Sequence, residues 1–75
     1  MNNERRKQLR QWMRKVEELK SELENILWDE QNYYDSIPEN LQGSVRAEDS
    51  EAAIGCIEEG IDIIGEAIEK VDEAI

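Results

Sequence analysis

The side chains in this 75-residue chain best suited to chemistry are turn-spaced carboxylates, one cysteine, and a few arginines near aromatic rings. Glu66, Glu69 and Glu73 stand three and four residues apart, which stacks their carboxylates on one helical face. Such a set would hold Ca2+ weakly. A calcium loop also brings a glycine turn and alternating oxygen ligands, and none accompanies these residues, so they read as a solvated face. Cys56 has no obvious base, and the chain contains no histidine, so a structural thiol is expected rather than a nucleophile. No Cys or His residues have metal-ligand spacing, and no phosphate loop or dinucleotide glycine pattern occurs. The expectation is a non-enzymatic protein with no catalytic residues, no metal and no cofactor.

Recognition chemistry is better represented. Trp28 has Ser21, Asn25, Asn32 and Asp35 at helical spacings around it. An exposed tryptophan among hydrogen-bonding side chains suits either a neighbouring hairpin or a ligand. A second group is Tyr33, Tyr34, Asn40, Gln42, Ser44 and Arg46. Arg46 is the only base in a long acidic stretch and suits phosphate or carboxylate, unless it pairs with Glu48 or Asp49 while Asn40 and Ser44 serve as turn caps. A third is the basic head, Arg5, Arg6, Lys7, Arg10, Arg14 and Lys15. It either balances an acidic tail or meets phosphate. The candidate ligand-binding set is therefore Arg10, Arg14, Trp28, Asn32, Tyr33, Tyr34, Asn40, Gln42, Ser44 and Arg46.

The elements that must position these residues follow from a seven-residue repeat. Ala53-Ile54, Gly60-Ile61, Ala67-Ile68 and Ala74-Ile75 are successive copies. With Ile54 at heptad position a, the a/d series runs Ile54, Ile57, Ile61, Ile64, Ile68, Val71, Ile75. A strict apolar heptad asks for another helix alongside. In the first half, Leu9, Val16, Leu23 and Ile37 fall on a, with Glu30 breaking the series. Trp12, Leu19, Ile26 and Tyr33 fall on d, and Met13, Leu27 and Tyr34 widen the stripe at e. Two long helices are predicted, about 4–35 and about 47–75, joined by a corner over 36–46. Ser36 and Glu39 fit a capping box, Gly43 suits a left-handed stop, and residues 37–42 suit one short helical turn. Ser44, Asp49 or Ser50 would cap the second helix.

A corner of this length predicts an all-α antiparallel hairpin. Pairing the two a/d seams sets Tyr33 near Ser50, Ile26 near Ile57, Leu19 near Ile64 and Trp12 near Val71. One seam between two helices buries little apolar surface, so a coiled-coil-like homo-oligomer is expected. The small-residue stripe beside the second seam supplies its interface: Ala53, Cys56, Gly60, Ile63 and Ala67. Gly60 is justified there by close packing, whereas Gly55 and Gly65 fall on the acidic arc, where they would mark a bend or a close approach by a partner.

Net charge is −10, unevenly placed. Residues 1–20 carry seven bases against three acids, and residues 46–75 carry ten acids against Arg46 and Lys70. Antiparallel folding lays the basic head beside the acidic tail. The acidic body argues against direct DNA or membrane binding. No segment has the length of a membrane span or the pattern of a secretory signal, and a lone cysteine forms no internal disulfide. One intracellular domain is expected.

The stretch Asp29-Glu30-Gln31-Asn32-Tyr33-Tyr34-Asp35-Ser36-Ile37-Pro38-Glu39-Asn40-Leu41-Gln42-Gly43-Ser44, with Arg46 and the Ala-Ile heptads, resembles a group of short acidic proteins encoded by phages and prophages of Firmicutes. The resemblance covers most of residues 20–75, and the corner from Pro38 to Ser44 is its most specific part. It implies a phage product in a bacterial cytoplasm. In size and hairpin plan the chain is also similar to helical phage proteins that soak up cyclic nucleotide alarm signals at subunit interfaces. The expected function is a non-enzymatic oligomeric binding protein, a counter-defence factor that sequesters a nucleotide signal. In that form Trp28, Tyr33 and Tyr34 would stack on bases, and Arg46 or Arg10 and Arg14 would meet phosphates. One alternative is an acidic decoy of a nucleic-acid-binding bacterial defence protein, using Glu59, Glu66 and Glu73. Another is a structural adaptor without a small ligand. The expected partners are the chain itself and either a nucleotide signalling molecule or a defence protein.

Overall fold

A computed structural model describes all 75 residues, Met1–Ile75. Helix α1 spans Asn3–Asp35, a single 3-10 turn spans Glu39–Leu41, and helix α2 spans Val45–Ala74. The two long helices lie side by side in a rod 59 × 15 × 12 Å. All-helical architecture and the two-helix plan are as the heptads require. No helix is long and apolar enough to cross a membrane.

The helix ends show how local chemistry sets the boundaries. Asn2 caps α1, its side chain accepting from the Arg5 backbone N–H at 2.9 Å. This satisfies one of the free donors of the first turn. Ser44 caps α2 through the Ala47 N–H at 3.3 Å. Helix α2 therefore starts at Val45, two residues before the expected Ala47, and neither Asp49 nor Ser50 is its cap. The corner departs from expectation in two places. Ser36 closes α1 instead of opening a capping box, its hydroxyl donating to the Tyr33 carbonyl at 2.7 Å. No side chain caps the 3-10 turn, and Gly43 does not adopt a positive φ. Pro38 supplies the carbonyl for Leu41 N–H, and Leu41 supplies one for Ser44 N–H, so short-range backbone bonds carry the chain round.

Along α2 the expected a/d series is the packed one. Ala47 and Ser50 are buried, and Ile54, Ile57, Ile61, Ile64, Ile68, Val71 and Ile75 are half-buried. On α1 the seam differs from the prediction. The half-buried series is Leu9, Met13, Val16, Lys20, Leu23, Leu27, Glu30 and Tyr34, continued by Ile37 beyond the helix, which are columns a and e; Arg6 near the N-terminus and Gln31 in column b are half-buried as well. The d column is exposed: Trp12 41%, Leu19 59%, Ile26 56% and Tyr33 40%. The physical reason is that α1 carries three apolar columns, d, a and e, while a single partner helix covers two. Columns a and e also advance by alternating steps of four and three, so periodicity alone does not choose between them. The lengthwise register agrees with expectation to within about one turn. Lys20 Nζ lies 3.8 Å from where a Gly65 Cβ would stand, Met13 and Ile68 line one groove, and Tyr33 and Ser50 line another.

The seam thus takes in two polar residues and leaves four large apolar ones outside. Glu30 is accommodated by Ser50, whose hydroxyl donates to its carboxylate at 2.8 Å. Lys20 passes over Gly65, its Nζ 3.8 Å from where a Cβ would stand, and faces Glu24 at 3.9 Å. Ala47 and Ser50 are the smallest seam residues of α2 and the only fully buried ones, so the helices approach most closely beside the corner.

Candidate binding surfaces

The candidate ligand-binding residues fall at three places on the hairpin. On one flank of the seam, the flank of column e, Trp28, Asn32 and Tyr34 line an open groove with Gln31, Asp35, Glu51 and Ile54. Trp28 is 64% exposed, and Tyr34 is half-buried at the groove floor. The seam thus holds one ring still beside a free one. Gln31 Nε2 reaches Glu58 Oε1 at 3.5 Å across the same flank.

Arg10 and Arg14 line a second groove on that flank, with Met13, Glu17, Ile68, Glu69 and Asp72. Antiparallel folding does bring the basic head to the acidic tail. None of these arginines makes an ion pair: the two present, Lys20–Glu24 at 3.9 Å and Lys70–Glu73 at 3.4 Å, each lie within one helix. Fourteen residues separate Arg14 from Trp28, about 21 Å along a helix. One nucleotide does not reach both on a single hairpin.

Tyr33 and Arg46 lie on the opposite flank, in a groove with Glu30, Val45, Asp49 and Ser50. Arg46 has no carboxylate within 4.0 Å, so neither Glu48 nor Asp49 pairs with it. The remaining corner residues divide. Gln42 Nε2 donates to the Ile37 carbonyl at 2.9 Å, and Ser44 caps α2, so both hold the turn. Asn40 is exposed on the 3-10 turn.

The expected oligomer stripe is on the same flank as Tyr33. Ala53 and Gly60 are half-buried at the edge of the seam, and Cys56, Ile63 and Ala67 are exposed. Ile63 is 63% exposed. It and Ala67 line a shallow groove with Glu66, Glu69, Lys70 and Glu73. All ten carboxylates of α2 are exposed, and Glu73 alone has a base within 4.0 Å.

The contact between Glu30 and Ser50 escaped sequence reasoning. Glu30 registers only as an interruption of column a, and Ser50 only as a cap candidate. The signal was present: a polar residue on each seam, about one helical turn apart in the antiparallel register. No protein-family model matches this chain, and no curated protein or solved structure does either.

Proposed function

We propose that this chain is a non-enzymatic binding protein that works as an assembly of hairpins, of the phage counter-defence type, and sequesters a nucleotide signal. The observation that carries the reading is the exposed d column of α1. A hairpin that encloses Lys20 and Glu30 while Trp12, Leu19, Ile26 and Tyr33 face water has its largest apolar surface directed at a partner. For the ligand, support comes from the groove of Trp28, Asn32 and Tyr34, where two rings and an amide fit the faces and edges of a base. Arg10 and Arg14 supply phosphate chemistry. Because they stand about 21 Å or more from Trp28 along the rod, the two sets are separate candidate contacts, and a single nucleotide uses one or the other. The phage setting rests on the likeness of the corner from Pro38 to Ser44.

Calorimetry and thermal melting against cyclic di- and trinucleotides and ADP-ribose derivatives test this reading. A ligand of the folded form raises the midpoint, and Trp28→Ala with Arg14→Gln should remove the rise. No heat and no shift with any of these compounds removes the nucleotide reading. The acidic decoy is the second reading, favoured by the unneutralised carboxylates of α2. Its test is inhibition of a nucleic-acid-binding defence enzyme, which Glu59→Gln, Glu66→Gln and Glu73→Gln together should abolish.

A further inference from the structure

The exposed apolar flank combines two ladders of equal pitch. On α1 the ladder is large: Trp12, Leu19, Ile26 and Tyr33, one every seven residues. On α2 it is small: Ala53, Gly60, Ala67 and Ala74, with the same step. Both belong to one side of the rod, because Tyr33 shares its groove with Arg46 and Asp49, which precede Ala53 on the small stripe and its neighbouring column. The register that sets Lys20 beside Gly65 also levels the ladders. At that register Tyr33 stands level with Ala53, Ile26 with Gly60, Leu19 with Ala67 and Trp12 with Ala74.

We infer that this flank is covered by the same flank of a second copy, with the two hairpins aligned corner to corner about a twofold axis parallel to the rod. The inference rests on the self-association in the function proposed above and specifies its geometry. A twofold axis along the rod lays α1 of one copy over α2 of the other, antiparallel, so each large residue meets a small step. Gly60 fits this place: it is half-buried at the seam edge, and nothing in its own hairpin lies within 4 Å of where its Cβ would stand, which leaves room for a side chain of the second copy. Charge selects the same arrangement. Aligned copies set each basic head, with seven bases in residues 1–20, between two acidic α2 tails. Copies crossed corner to open end would instead lay α2 on α2, ten carboxylates against ten, and large residues on large.

The test is the distance between the two corners. Glu39→Cys in a Cys56→Ala background places one spin label on the exposed 3-10 turn of each copy, outside the covered flank. Pulsed electron spin resonance should then give one short distance, a small fraction of the 59 Å rod. Leu19→Glu with Ile26→Glu in the same background should abolish the dipolar signal and return the mass to that of one chain. A distance close to the rod length overturns the aligned arrangement and leaves self-association standing. A single-chain mass for the labelled protein at full helicity overturns both. Calorimetric binding of nucleotides is read separately, so its failure bears on the ligand alone.

Discussion

The two flanks of the seam are built from the same two helices and leave opposite kinds of residue exposed. The flank of column e presents charge and hydrogen-bonding groups: Arg10, Arg14, Glu69 and Asp72 at one end, Trp28, Asn32 and Glu51 at the other. The flank of column d presents Trp12, Leu19, Ile26, Tyr33 and Ile63 beside small residues. In water a two-helix unit gains most by enclosing its bulkiest apolar column. This hairpin encloses Lys20 and Glu30 instead and gives each a specific partner. On the function proposed above, the apolar flank serves assembly and the polar flank a ligand or target.

The largest effect is expected at a pair of adjacent isoleucines. Ile64 lies in the seam and Ile63 on the apolar flank. Ile64→Asp removes a half-buried isoleucine from the seam and should cost about 2 kcal/mol, a large share of the stability of so small a domain. Ile63→Asp should lower the melting midpoint by less, and the loss should fade as wild type and variant are diluted toward single hairpins. Equal losses at all concentrations would remove the distinction between seam and flank. Next in size is Ala47→Leu beside the corner. At 0% exposure there is no room for it, and overpacking should cost about 1–3 kcal/mol in urea titration.

Smaller effects sharpen the same comparison. Ser50→Ala takes the hydroxyl from Glu30 and should cost about 1 kcal/mol, a loss recovered by pairing it with Glu30→Leu. Gly55→Ala and Gly60→Ala both enter open space in one hairpin. Helix propensity alone stabilises each by about 1 kcal/mol. Gly55→Ala should show that gain at every concentration, whereas Gly60→Ala should show it only on dilution, since the added methyl meets the second copy. On the polar flank, Arg14→Gln should change the melting midpoint least of all, because Arg14 makes no ion pair.

The heptads made the helices, their antiparallel pairing and the α2 seam legible, because an isoleucine stripe two columns wide permits one mode of packing. They did not decide the α1 seam. Three apolar columns offer two equally periodic pairs, and the choice depends on tertiary contacts such as that of Glu30 with Ser50 on the other helix. The corner was legible in position but not in chemistry. Gly43 needed no left-handed backbone, and Gln42 donates to the Ile37 carbonyl, a brace that no local motif announces. Among candidate site residues, Trp28 and Asn32 share one groove, as their i, i+4 spacing requires, and Tyr34, grouped with the corner by sequence, joins them there. Tyr33 is carried to the other flank, since adjacent helix positions point about 100° apart.

Sedimentation equilibrium across a dilution series, read beside circular dichroism, tests the central claim that this hairpin is built to be covered by another copy. At micromolar concentration a fully helical chain should sediment at twice its 8.8 kDa mass, and its melting midpoint should fall as it is diluted. A mass of 8.8 kDa at full helicity, with a midpoint independent of concentration, would contradict it.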